Sequence, residues 1–160
     1  MAEQRIGIGF DAHAFSGAKA LVLGGVEFPG EAGLAGHSDG DVVAHALIDA
    51  LLGAANLGDI GRMFPSDDDR WQGASSLDLL ARAGADVRRS GWELVNADCV
   101  LVGERPRIAT RGSEMAARFA EALGVDAQRV SVRATTTDGL GFTGRGEGLA
   151  ANAVALLSRR

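Results

Sequence analysis

The sequence predicts an α+β fold: a single-domain, two-layer α/β sandwich in which a mixed β-sheet carries helices packed on one face. Three observations point there. Segments of period two and segments of helical period succeed one another, an early pair of strands flanks a tight turn, and helices lie between the later strands. With 160 residues and 46% hydrophobic content, the chain has material for one core and not for two ordinary domains, so residues 1–160 are read as one domain.

Residues 5–15 open the fold. Ile6, Ile8 and Phe10 alternate with small residues, as in a half-buried strand, and Asp11 and His13 then share one side. Leu21 to Leu23 and Val26 to Phe28 flank Gly24 and Gly25, the two-residue signal of a hairpin. From Asp41 the period changes. Leu47, Leu51 and Leu52 form an apolar stripe beside the small residues Ala46, Ala50 and Gly53, which predicts a helix over about 40–54 capped by Ser38 or Asp39. Ser75 or Ser76 can cap a second helix running to about Ser90, with Leu77, Leu80, Ala81, Gly84 and Val87 on one face.

A strand from Glu93 to Val102 comes next. Met115, Phe119, Ala122 and Leu123 fall at helical spacing within a segment from Thr110 that stops at Gly124, giving a third helix. Val130, Val132 and Ala134 alternate as a strand. In the tail, from Glu147 to Leu157, the alanines favour helix while Leu149, Ala151, Ala153, Ala155 and Leu157 alternate, so pattern alone leaves helix and strand open.

A net charge of −5 argues against a general nucleic-acid binder or membrane-surface protein, because phosphate backbones and anionic lipids select basic patches. A phosphorylated substrate would have to be held by metals, backbone N–H groups and a few placed cations. Cys99 is the only cysteine, so no intrachain disulfide can form and a cytoplasmic address is expected. The first residues reach Ile6 without a long apolar stretch, and neither a signal peptide nor a spanning helix is expected. The 23 glycines gather around polar residues at 24–25, 36–40, 58–61 and 139–148, a distribution of turns built around a site.

The chemistry is concentrated early. His13, His37 and His45 are the only histidines, and each lies within four residues of an aspartate. Asp11 and His13 project together from a strand, and Asp41 and His45 share a helix face. A strand end brought to a helix start could supply three nitrogen or oxygen ligands and an open fourth position, the arrangement of catalytic zinc. Turn hydrogen bonds and helix capping are the plainer alternative for any one of these histidines.

Gly36, Ser38 and Gly40 match the G-x-S-x-G elbow of serine hydrolases, but no histidine follows His45, whereas that fold places its catalytic histidine last. A glycine-flanked turn into a helix, able to hold an anion at its N–H groups, is more economical. Gly7, Gly9 and Ala12 match a weak dinucleotide fingerprint, which is rejected because no helix pattern follows. Thr135, Thr136, Thr137 and Asp138 follow a strand and offer three hydroxyl donors with one hard carboxylate, suited to phosphate and a magnesium-type ion or equally to a strand end with a turn cap. The segment from Leu57 to Asp69 reads as a polar loop. Cys99 lies in an apolar strand and reads as a small buried hydrophobe.

Taken together, the segments Arg5 to His13, Leu34 to Asp41, Gly58 to Gly61 and Thr135 to Gly148 resemble, in that order and across nearly the whole chain, the cyclodiphosphate synthase family. The resemblance implies that Asp11, His13 and His45 bind zinc, while His37 and Ser38 contact substrate phosphate. It implies that Asp11, Ala12 and His13 also border the substrate. Asp59, Ile60 and Gly61, with Phe64, Pro65, Ser66, Asp67 and Asp68, would hold an erythritol group. Gly103, Glu104, Arg105, Pro106, Arg107, Ile108 and Ala109 would form a cytidine pocket reaching in from a neighbouring subunit. Thr135, Thr136, Thr137 and Asp138 would bind the diphosphate, with Asp138 on a second divalent ion, magnesium or manganese.

Family members are homotrimers with active sites at subunit interfaces, and Phe142 and Arg145 match residues near the end of a central channel. An isoprenoid diphosphate bound in that channel is a further implied partner. By the same resemblance the ambiguous tail becomes a strand near the threefold axis. The implied reaction is cyclisation of a cytidine diphosphate-linked substrate with loss of CMP, and His37 and Thr136 are the candidate transition-state stabilisers. Two departures stand out: the family usually carries histidine in place of Ile8 and a glutamate-lysine pair in place of Asp138 and Gly139. Aspartate reaches one methylene less than glutamate, which weakens or moves the second ion.

Overall fold

The computed structural model describes residues 2–159. Its first strand, β1 (Glu3–Leu23), pairs antiparallel on one side with β5 (Gly148–Arg159) through its first half and on the other with β2 (Val26–Leu34) through its second. Register shifts between Phe15 and Leu21 mark the change. The hairpin turn is at Gly24 and Gly25, whose φ values of 59° and 71° lie in the left-handed region that glycine enters without a Cβ penalty. β3 (Glu93–Val102) pairs antiparallel with β5 and parallel with β4 (Val130–Thr135). The sheet is therefore mixed, in the order β2-β1-β5-β3-β4. The tail is a strand, as the resemblance implied.

Helix α1 (Val42–Ala55) lies across β1 and β5 and is buried almost throughout. Its cap is neither Ser38 nor Asp39. Asp41 takes that place: its carboxylate accepts Ala44 N at 3.1 Å and, from the hairpin turn, Gly24 N at 3.0 Å and Gly25 N at 2.8 Å. One buried side chain thus fastens the turn to the helix start. Burial, with the like charge of Asp39, pushes the Asp41 carboxyl up to about 6 against the pull of those three N–H groups.

Helix α3 (Ser76–Arg89) packs on α1 and on α4 (Gly112–Leu123), which covers β4. The buried face of α3 is built from Leu79, Leu80, Ala83, Gly84 and Val87. Leu77 and Ala81, expected there, are only half-buried. Helix α4 ends where Gly124 turns left-handed at φ 66°. Between α1 and α3 the chain is not a plain polar loop, since it forms the short helix α2 (Ile60–Met63), capped by Asp59, and a single 3₁₀ turn at Asp69–Trp71. A four-residue helix, α5 (Gly141–Gly144), precedes β5.

The alternation at the start of β1 turns its small residues inward. Gly7 and Gly9 face α1, while Ile6 and Ile8 are each 73% exposed and Phe10 58%. The glycines are required by closeness. A Cβ on Gly7 would lie 1.9 Å from Ala50 O, and one on Gly9 1.8 Å from Ala46 O. The sheet thus meets the helix backbone directly, and the large side chains of β1 stand on the opposite, open face beside Val154, itself 44% exposed.

Candidate metal centre and active site

The close seating of α1 on β1 brings together three residues that are far apart in sequence. Asp11 and His13 lie two apart on β1, and His45 lies in the first turn of α1. His13 Nε2 is 2.7 Å from Asp11 Oδ2 and 3.2 Å from His45 Nδ1, and His45 Nδ1 is 3.1 Å from Asp11 Oδ2. All three donor atoms lie within 4.8 Å of one another. Burial works to raise the Asp11 carboxyl, but the His13 and His45 rings against it overcome that and hold it well below the usual carboxylate range. The Asp11 hydrogen bond raises His13 in turn, against burial and with help from the Ala35 backbone.

One carboxylate oxygen and two imidazole nitrogens turned inward on a single point suit a divalent cation better than they suit each other. An ion there would be met by three lone pairs, and the set fits a three-ligand site with an open position. Asp41, the other aspartate paired with His45 by spacing, is occupied at the helix cap and turned away from this group.

The three donors form the floor of a cavity of about 540 Å³ whose lining also includes His37, Ser38, Ile60, Gly61, Phe64, Pro65, Ser66 and Asp67. Ser38 is buried, with its Oγ 2.9 Å from His45 Nε2. His37 stands apart from the metal group, its Nε2 3.3 Å from Asp68 O. Asp59 and Asp68 cap their short helices, and Asp68 also holds Arg70. Ala12 is exposed on β1, facing away from the helices.

Thr135 to Asp138, the 103–109 segment, Phe142 and Arg145 do not line this cavity within one chain. They gather at the same end of the strands but across β5, since Ala12 and Val102 both pair with Ala150 and Val102 pairs with Thr135, and there Glu104 and Arg105 share a second cavity of about 360 Å³ with Arg145 and Phe15. Glu104 Oε1 accepts Gly139 N at 3.3 Å, and Thr136 Oγ1 donates to Asp138 Oδ1 at 3.1 Å. Two of the implied ligand residues have their side chains engaged within the chain. The side chain of Ile108 is 1% exposed and belongs to the core, so its backbone alone could face a ligand. The Thr137 hydroxyl donates to Leu140 O at 2.6 Å and meets Thr143 Oγ1 at 2.9 Å, so it shapes its own loop.

The sequence reading missed several residues of the site. Trp71 and Leu79 complete the cavity wall, with Trp71 edge-on to Phe64 at 5.0 Å. Asp49 accepts Ile60 N at 2.7 Å and fixes the 58–61 turn; its position four after His45, on the same helix face, was an available signal. Lys19 Nζ donates to Gly36 O at 2.7 Å and Ser38 O at 2.6 Å, bracketing His37. Nothing local in the sequence marks that contact. Among the described residues no helix is long and apolar enough to cross a membrane.

Comparison with known proteins bears on what this cavity does. The model of the YgbB family matches residues 4–158. The chain is 57% identical over 154 residues to the bifunctional enzyme IspD/IspF of Anaeromyxobacter sp. (strain Fw109-5), covering 96% of this chain and 40% of that protein. It therefore spans about 40% of the length of that relative. It is 56% identical over 162 residues to the 2-C-methyl-D-erythritol 2,4-cyclodiphosphate synthase of Rubrobacter xylanophilus, covering 99% of this chain and 98% of that protein. A solved structure of a 2C-methyl-D-erythritol-2,4-cyclodiphosphate synthase in its CDP-bound form superposes with a TM-score of 0.85 at 36% identity, over 96% of this chain and 99% of that one.

Proposed function

The chain belongs to the YgbB family, and on that premise we propose that it converts 4-diphosphocytidyl-2-C-methyl-D-erythritol 2-phosphate to 2-C-methyl-D-erythritol 2,4-cyclodiphosphate with release of CMP. The observation that carries the reading is the convergence of Asp11 Oδ2, His13 Nε2 and His45 Nδ1 on the floor of a cavity that Ser38, His37 and the 60–67 segment surround. In this reaction the substrate's own 2-phosphate oxygen bonds to the β-phosphorus as the bond to CMP breaks. No enzyme nucleophile is needed, and the cavity lining includes no cysteine.

Catalysis of such a transfer is mainly positioning and charge neutralisation. Asp11, His13 and His45 would hold zinc, which supplies Lewis-acid neutralisation of phosphate charge when bound. Ser38 and His37 present donors to phosphate oxygens from one wall. Asp49, which accepts Ile60 N, and Asp59, which accepts Arg62 N, hold the 60–62 backbone toward the erythritol group, and Phe64 with Trp71 excludes water from that side. Thr135 and Thr136 bind the diphosphate, Asp138 would hold a magnesium or manganese ion, and Thr136 and His37 stabilise the transition state.

Thr135, Thr136 and Asp138, unlike His37, lie outside the metal cavity of one chain, so a neighbouring subunit would deliver them. The open face of the sheet supports a trimer: Ile6, Ile8, Phe10 and Val154 make an apolar surface that a lone chain would leave in water. In the trimer the 103–109 segment supplies the cytidine pocket, a reading supported by the CDP-bound relative. Phe142 and Arg145 stand near the end of a central channel able to hold an isoprenoid diphosphate. Incubating the purified protein with the cytidyl substrate, zinc and magnesium tests the activity by phosphorus NMR. Equimolar CMP and cyclic diphosphate are expected; orthophosphate as the product would mean hydrolysis and would sink the reading.

A further inference from the structure

His45 has a second ring nitrogen, and its surroundings assign a role to two residues outside the ligand set. Nε2 lies 2.9 Å from Ser38 Oγ and 3.0 Å from Ser76 Oγ. The direction of these hydrogen bonds follows from the number of hydrogens present. A serine hydroxyl has one, and that of Ser76 goes to Asp39 Oδ1. A carboxylate only accepts, and Asp39 receives three donors: Ser76 Oγ, Ser76 N at 2.9 Å and Asp41 N at 3.1 Å.

Ser76 Oγ therefore presents lone pairs alone to the imidazole. A bare Nε2 would face them without a hydrogen between, in a place closed to water, since Ser76 is fully buried. A hydrogen on Nε2, shared between Ser76 Oγ and Ser38 Oγ, removes that clash. In a neutral imidazole the other nitrogen is then bare. That nitrogen is Nδ1, which then meets Asp11 Oδ2 at 3.1 Å and His13 Nε2 at 3.2 Å with a lone pair, the arrangement that a cation among the three would complete.

We propose that Asp39 and Ser76 are positioning residues that fix the Nε2–H tautomer of His45 and so keep Nδ1 open for the metal. The pair is itself held by the fold. Asp39 N donates to Ala74 O at 3.0 Å and Gly73 N to His37 O at 2.8 Å, which tie the turn before α1 to the turn before α3. The Ser76 hydroxyl thus lies at one helix start and the His45 ring at another, with Asp39 bridging them. A second hydrogen bond from a ligating histidine commonly changes metal affinity by about 10- to 100-fold.

This rests on the metal reading above, and the test separates the two. Histidine ¹⁵N spectra of the metal-free protein at alkaline pH report the His45 tautomer whether or not any metal binds; zinc affinity is measured separately by chelator competition. Wild type should show His45 with hydrogen on Nε2. Ser76→Ala should show a mixture of tautomers and bind zinc about 10- to 100-fold more weakly, with its melting temperature and circular dichroism close to wild type. Asp39→Asn should shift the same two readouts and carries the test if Ser76→Ala fails to fold. Hydrogen on Nδ1 in wild type, or a Ser76→Ala protein with the wild-type tautomer and zinc affinity, would overturn the proposal.

Discussion

Replacing Gly9 with alanine adds one carbon at the place where the sheet and α1 touch. That Cβ would sit 1.8 Å from Ala46 O, 2.8 Å from Ala46 C and 2.9 Å from Ala50 N, all helix backbone that cannot rotate aside. Ordinary contact begins near 3.4 Å, so β1 and α1 have to part by about 1.6 Å. Ala46 directly follows His45, and Gly9 precedes Asp11 by two positions on the same strand face. The separation therefore falls on donor distances of 2.7 to 3.2 Å. Overpacking typically costs 1–3 kcal/mol, and rigid backbone on one side places this case at about 3 kcal/mol. A displacement on the order of 1 Å at a reacting centre lowers turnover by about 100-fold. Urea unfolding at fixed protein concentration gives the first quantity, and CMP release from the cytidyl substrate gives the second. A Gly9→Ala protein within about 0.5 kcal/mol of wild type and fully active would refute the claim that close seating on Gly9 builds the metal group.

Asp41→Ala leaves the N–H groups of Gly24, Gly25 and Ala44 without their acceptor and should cost about 3 kcal/mol in urea unfolding near neutral pH. Because burial holds the Asp41 carboxyl up at about 6, above its ordinary 3.8, its protonated form favours the folded state. That contribution is full below 3.8 and fades as pH rises through 6, so the alanine variant should lack this slope, and an unchanged slope would count against it. Ile8→Asp should leave the fold of one chain intact, since the residue is 73% exposed there, yet turn a trimer into monomers by light scattering; persistence of the trimer would remove the open face from the interface. Cys99 is fully buried and burial pushes its thiol up to about 12, so a thiol reagent at pH 8 should label the protein only when it unfolds, and rapid native labelling would contradict the placement of β3.

How much of this was legible in the sequence follows from how local each signal is. The bounds of β3, the stop of α4 at Gly124 and the Gly24–Gly25 hairpin each depend on neighbouring residues and read correctly. Alternation at Ile6, Ile8 and Phe10 gives the period of a strand but not which side is inward. The residues to weigh were Gly7 and Gly9, small because a helix backbone lies on them. Ser38, Asp39 and Asp41 are all competent caps, and only the hairpin's approach selects Asp41 while freeing Asp39 for Ser76. Spacing grouped histidine and aspartate at a strand and at a helix but left His37, His45 and Asp41 as equals, and it was the family resemblance that implied Asp11, His13 and His45, the three that the fold brings together. Lys19 and Ser76 act across contacts between distant segments, which no local pattern encodes.

The central claim is that Asp11, His13 and His45 hold the metal on which cyclisation depends. Stripping the protein with a chelator, adding zinc back in steps with magnesium present, and following CMP release in wild type and His45→Ala tests it directly. Wild type should fall silent and recover at about one zinc per chain, while His45→Ala should neither retain zinc nor turn over. Wild type that works without zinc, or a His45→Ala protein that keeps stoichiometric zinc and releases CMP, would contradict it.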